Sequence, residues 1–402
     1  MASNPLAQLS KLGQSPWYDQ MTRSLVSQGT LKKMIEEDGL RGLTSNPTIF
    51  EKAISGSKDY EDALRALVAK GAELAEIYDA LVVEDIASAA DVFRSVYEST
   101  NGTDGFVSIE VSPLLALDTA GTVKEAKRLH GKLARPNVMI KVPATPEGLP
   151  AIEELISEGI SVNVTLIFSV EVYAKVVEAY IKGLEKRVAK GGAVNRVSSV
   201  ASFFVSRIDS AVDKRLEEIA KAGRTEAAAL CGKAAIANAK LAYEKFQQLF
   251  SGARWEKLAK AGAQVQRPLW ASTGTKNPKY SDVLYIDTLI GAHTVNTMPP
   301  ATYDAFRDHG KAVITITDDL KGAHQLFDKL KEIGIDLTAI TEELTAAGVK
   351  SFADSYNNLI AVIERRRHEV AVARLLERLH QNGVYWCYLG TDETIPRKIS
   401  PR

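Results

Sequence analysis

A lysine inside an apolar run is the residue of this sequence with the most chemistry to offer. Lys141 follows Val138, Met139 and Ile140 and precedes Val142 and Pro143. Burial disfavours an ammonium ion, so a lysine held there loses its proton more readily than a free side chain with a pKa of about 10.4. A neutral amine is what attack on a carbonyl requires. Further polar residues interrupt comparable runs: Glu110 in SIEV, Asn163 in SVNV, Asn46 after GLTS and Ser202 at the end of SVAS. Each has a plainer explanation. Lys141 could snorkel from a strand end or form a buried pair with Glu110, and Asn46 before Pro47 could shape a turn and cap a helix. Asp19 in WYDQ reads equally well as a helix N-cap. An amine, acids and amides on neighbouring strands nevertheless favour a catalytic site over a set of unrelated structural roles.

A second cluster suggests phosphate. The segment WASTGTKNPKY, Trp270–Tyr280, places Ser272, Thr273, Gly274, Thr275 and Lys276 directly after an apolar run. Small hydroxyls, a glycine and a lysine can cradle an anion with side-chain and backbone donors. Arg207 lies five residues past Ser202, at the start of a helical pattern. The segment is not a phosphate-binding GxxxxGK[ST] loop, and no GxGxxG follows a strand. The six histidines have no close ligand spacing, and no metal or cofactor motif is found. An amine, acids, amides and a phosphate cradle point to Schiff-base chemistry on a sugar phosphate.

The elements that position these residues alternate. Strands are expected at 39–45, 106–111, 137–142, 160–167, 196–204, 267–272 and 292–297, with a weak candidate near Trp17–Asp19. Helical patterns lie between them, at 119–133, 147–158 and 170–189, over 208–250 as two helices, and over 60–97. Strand and helix in alternation predict a parallel sheet, and eight strands without a dinucleotide motif predict a closed (β/α)8 barrel. An open three-layer sheet is the alternative. In such barrels, polar groups at the C-terminal strand ends converge on one mouth. The run AVITIT, 312–317, suggests one more short strand. Beyond it the pattern is helical, with a long helix expected over 349–380. That helix reads either as basic or dimer-forming, or as a helix docked on the barrel; the docked reading is preferred and a homodimer is left open. The division expected is a catalytic barrel over 10–310 and a mainly helical extension over 311–402.

Composition narrows the function classes. Lys and Arg (50) balance Asp and Glu (50), and 45% of residues are hydrophobic. Disorder, which requires few hydrophobes and a large net charge, is excluded. A neutral chain also argues against nucleic-acid or anionic-membrane partners. Cys231 and Cys387 belong to no motif and are expected to be reduced thiols. There is no signal-peptide core, and no window approaches the ~20 apolar residues that span a bilayer, so a cytoplasmic protein is expected.

The segments GLTSNPTIFEKAI, VSIEVSP, IKVPATPEG, GISVNVTLIFS, VSSVASFFVSRID and RPLWASTGTKNP occur in the order found in transaldolases, and the chain resembles the longer bacterial type over about 10–360. The resemblance implies a circularly permuted (β/α)8 barrel of the class I aldolase type. It implies transfer of a dihydroxyacetone unit from sedoheptulose 7-phosphate to glyceraldehyde 3-phosphate, giving erythrose 4-phosphate and fructose 6-phosphate in the non-oxidative pentose phosphate pathway, with no cofactor. By position, Lys141 matches the Schiff-base lysine, Glu110 the acid that moves protons through a water, and Asp19 the base at the C4 hydroxyl. Thr44, Asn46, Asn163 and Thr165 match residues that hold substrate hydroxyls and the water. Ser202, Arg207 and Ser272 match the phosphate side, and Phe204 lines the site. Many transaldolases have an arginine soon after the position of Ser272. Here STGTKNP stands there, with Lys276 as the replacement, which offers a point charge instead of a bidentate fork. The rivals are a fructose 6-phosphate aldolase on the same barrel and a non-catalytic sugar-phosphate binder.

Overall fold

A computed structural model describes residues 4–382. Eight parallel strands close into a barrel in sequence order: β1 Gln14–Tyr18, β2 Gly42–Thr44, β3 Phe106–Glu110, β4 Val138–Pro143, β5 Val162–Ile167, β6 Ser199–Phe204, β7 Arg267–Ala271 and β8 Thr294–Met298. The last pairs with the first, Trp17 lying opposite Thr297, so the sheet has no edge. The closed form, not the open sheet, is therefore the architecture. Strands packed inside and out read as near-continuous apolar runs, which is why most were legible. The weak candidate near Trp17 is β1 itself.

Helices cover the outside. Those at Thr119–Leu133 and Val170–Ala189 have the expected bounds, capped by the side chains of Asp118 and Ser169. The stretch 60–97 breaks into Glu61–Ala69, Leu74–Val92 and Arg94–Ser99. The helix after β4 starts at Gly148, where a Cβ would lie 2.0 Å from the Pro143 carbonyl oxygen, so the glycine of TPEG lets the turn after β4 fold tightly.

AVITIT is not a strand. Its Thr315 and Ile316 amides donate to the Ile290 carbonyl, and Ile316 is buried while Val313 and Ile314 face solvent. A closed barrel offers no free edge for a ninth strand. The long helix begins earlier than expected and spans Leu337–Gln381, with Asp336 as its N-cap. It crosses the barrel's C-terminal side as well as the helices Pro47–Gly56 and Glu61–Ala69. Cys231 is a partly buried free thiol, and Cys387 lies outside the described residues. Among the described residues no helix is long and apolar enough to cross a membrane.

The N-terminal end of the barrel is closed by a polar cluster. Arg267 donates to Asp104 at 2.9 Å and to the Ser15 hydroxyl at 2.7 Å, and Ser15 donates to Asp104 at 2.6 Å. Buried polar groups paired in this way rigidify a core.

Candidate active site

Strand register brings the lysine to its partners. Glu110 on β3 lies opposite Lys141 on β4, which lies opposite Asn163 on β5. Paired residues share a face, so all three side chains point into the barrel. Lys141 Nζ is 3.6 Å from Glu110 Oε2 and donates to the Ser45 carbonyl oxygen at 3.1 Å. The amine is thus buried among polar partners as well as apolar neighbours, a less greasy setting than its sequence context implied. Glu110 is buried and its Oε2 has no hydrogen-bond partner. Burial raises its carboxyl pKa, an effect that the neighbouring Lys141 charge opposes.

The second acid is Asp19, just past β1. Thr44 at the end of β2 donates to Asp19 Oδ1 at 2.6 Å, and Thr297 of β8 lies 2.7 Å from the Thr44 oxygen. A hydroxyl has one proton to give, so with Thr44 donating to Asp19, Thr297 donates to Thr44. Burial raises the Asp19 pKa; Thr44, Lys141 and Lys276 pull in the opposite direction.

A cavity of about 100 Å³ opens at this end of the barrel, lined by Asp19, Thr44, Asn46, Lys141, Thr165, Ser202, Phe204, Arg207 and Ser272. Asn46 caps the helix Pro47–Gly56 through Oδ1, which accepts from the Ile49 amide at 3.0 Å, and it also lines the cavity. The Thr165 hydroxyl is buried without a partner. Ser202 donates to Asn163 Oδ1 at 2.7 Å, and Asn163 Nδ2 donates to the Ser108 hydroxyl at 3.0 Å.

Three expected residues do not line this cavity. Glu110 stands behind Lys141, and Asn163 stands behind Ser202. Asn163 is the second residue of β5, below the mouth and not at a strand end, because neighbouring strands of a barrel are staggered. Lys276 is exposed on the loop after β7, near enough for its charge to act on Asp19.

Arg207 is the cation of the mouth. Its guanidinium carbon lies 5.1 Å over the Phe204 ring, burial lowers its pKa, and no ion-pair partner is found for it among the described residues. A partly buried, unpaired guanidinium is built to receive an anion. Beside it the Ser206 and Ser272 hydroxyls are 3.0 Å apart, and Ser272 takes a left-handed φ of 57° that turns the loop after β7 toward the mouth.

Three lining residues were not anticipated, Ala271, Thr297 and Phe352. Thr297 was open to the argument used for the other strands, as a polar residue in TVNTM. Phe352 belongs to the long helix, where an aromatic residue carries no such signal. No group of three metal-ligating side chains forms among the described residues.

The geometry can therefore form an imine, remove a proton beside it and hold an anion. Comparison with known proteins gives the family. The sequence model of the family described as transaldolase/fructose-6-phosphate aldolase matches residues 16–363. The chain is 46% identical to the transaldolase of Trichodesmium erythraeum, covering 91% of this chain and 98% of that protein. It is 48% identical to the transaldolase of Thermobifida fusca, covering 89% and 96%. It is 46% identical to transaldolase 2 of Nostoc punctiforme, covering 90% and 98%.

Proposed function

The chain belongs to the transaldolase/fructose-6-phosphate aldolase family, and we propose that it transfers dihydroxyacetone from sedoheptulose 7-phosphate to glyceraldehyde 3-phosphate, releasing erythrose 4-phosphate and fructose 6-phosphate. The observation that carries the reading is the Lys141 amine, buried 3.6 Å from Glu110 in a barrel mouth that also holds Asp19 and the unpaired Arg207. The reaction belongs to the non-oxidative pentose phosphate pathway, and a cytoplasmic location goes with it.

Lys141 Nζ attacks the ketose C2, and water leaves as the imine forms. Glu110 passes the protons this step requires, suited to it because burial favours its protonated form. Asp19 takes the C4 hydroxyl proton. The C3–C4 bond then breaks, its electron pair moving into the C3–C2–N system while the aldehyde departs. The acceptor aldehyde enters, C3 attacks its carbonyl carbon, and Asp19 returns the proton to the new hydroxyl. Water then adds to C2 and frees the lysine. Asn46 and Thr165 are suited to hold hydroxyls of the three-carbon unit and the water, with Asn163 behind Ser202 fixing that hydroxyl; Thr44 keeps Asp19 oriented. Arg207 and Ser272 hold the phosphate, Ser202 joins them when its hydroxyl proton turns from Asn163, and Lys276 adds charge from the rim.

Borohydride added with fructose 6-phosphate is expected to fix a three-carbon or hexose adduct on Lys141, identified by peptide mass. In parallel, the unit should appear on an added acceptor aldehyde faster than as free dihydroxyacetone. Label on another residue sinks the Schiff-base assignment; rapid free dihydroxyacetone makes the protein an aldolase. Arg207→Ala should raise KM for phosphorylated ketoses roughly 10–100-fold, the worth of a charged hydrogen bond of about 1.5–3 kcal/mol. An unphosphorylated ketose should be little affected, and an equal loss on both substrates would remove Arg207 from the phosphate site.

A further inference from the structure

Resting on the transfer reaction proposed above, we infer that Phe352 keeps the enzyme-bound three-carbon unit from being lost to water, with the long helix Leu337–Gln381 as the roof that holds it there. The Phe352 ring centroid is 5.9 Å from Lys141 Nζ, and its side chain closes the cavity that Asp19 and Ser202 line from within the barrel. Phe352 is itself buried, so it seals the mouth instead of lying on its surface.

The helix reaches this position through one face. Gly348, Phe352, Ser355, Leu359 and Ile363 recur at spacings of three and four, a continuous stripe toward the barrel. One turn before Phe352, Gly348 sits on Leu166, the neighbour of Thr165; a Cβ there would come 2.8 Å from Leu166 Cδ2. Leu166 is itself in a left-handed conformation, φ 61°, where the β5–β6 register shifts. One turn after, Ser355 accepts a hydrogen bond from Thr48, two residues past Asn46, at 2.7 Å. Further along, Arg366 donates to the Ser57 carbonyl at 3.0 Å. The helix is thus registered against the strand that carries Thr165 and the helix that Asn46 caps, and it places Phe352 beside the amine.

The chemistry needs such a cover. After C3–C4 cleavage the unit on Lys141 is nucleophilic at C3. If C3 attacks an acceptor aldehyde, the product is a new phosphorylated ketose. If C3 instead takes a proton from water, the imine is that of dihydroxyacetone, and a second water adding at C2 releases dihydroxyacetone and the free amine. The two fates differ only in what reaches C3 first. An apolar ring beside the nitrogen displaces water from that side, and its π face favours the cationic imine. Phe352 acts through exclusion and placement; it is a positioning residue.

The test uses the full chain with fructose 6-phosphate, with and without erythrose 4-phosphate, and measures free dihydroxyacetone against transferred product. Phe352→Ala is expected to raise that ratio about tenfold or more by admitting water, while borohydride still labels Lys141. Phe352→Leu, which keeps apolar volume, should show a smaller rise in the same direction. An unchanged ratio in either folded variant, with only turnover lowered, overturns the inference and makes Phe352 structural. Should the alanine variant lose its cooperative melt, the leucine variant decides. A parent enzyme that releases dihydroxyacetone as fast as it transfers it overturns the transfer reading, and this inference with it.

Discussion

Lys141→Ala is expected to lose turnover by roughly 10⁴-fold or more, the scale on which removing a nucleophile disables a site whose groups act as a unit. Among the described residues no other lysine lines the cavity, and Lys276 is exposed on the rim. The fold should survive the change. Deleting one member of a buried ion pair costs about 3–5 kcal/mol when the other charge is left stranded. Glu110 need not be stranded, because burial already raises its pKa and loss of the Lys141 charge raises it further, so it binds a proton instead. A cooperative thermal melt together with absent turnover and absent borohydride label is the outcome expected. Turnover near that of the parent would make the lysine structural.

The second large effect concerns Asp19. Asp19→Asn keeps the shape and the acceptor for Thr44 but cannot take the C4 proton. Turnover should fall by about 10²–10⁴-fold, the usual contribution of a positioned base. Borohydride should still trap the imine with Lys141, since that step precedes the one Asp19 serves; loss of the trap would assign Asp19 to imine formation instead. The parent's pH profile follows from the same carboxyl. The base form is the ionised one, and burial moves its pKa above the ordinary aspartate value of 3.8. The acid limb of kcat/KM should therefore lie above that value, and the limb should vanish from the residual activity of the asparagine variant. Stability runs the other way. A carboxyl whose folded pKa is raised contributes most below its unfolded pKa, and that contribution is lost as pH rises through the folded pKa. Where Asp19 is ionised it is thus a burden on the fold, and Asp19→Asn should melt higher than the parent there, by a margin that shrinks in acid.

Much of this was legible because a barrel imposes simple rules on sequence. Strands buried on both sides become apolar runs, so Lys141 and Glu110 stood out as exceptions, and the register then made them neighbours. Asn163 was found by the same rule, but its depth was not, because stagger between strands is a property of closure that no single strand reports. β1 was faint since QSPWY is short and begins with polar residues, and its burial depends on β8, its neighbour in the barrel but far along the chain. AVITIT had strand chemistry without a strand's place. Phe352 lay beyond reach for another reason. An apolar residue on an amphipathic helix states only that something covers it, and nothing local says that the Lys141 amine lies beneath.

The closing helix is the last described element of the chain, and this orders the birth of the protein. Synthesis runs at about 5–20 residues per second, so Asp19, Glu110 and Lys141 emerge many seconds before Leu337–Gln381. On the proposed mechanism, Lys141 has no Phe352 beside it until that helix arrives, so chains stalled or clipped ahead of Leu337 are expected to lack the cover.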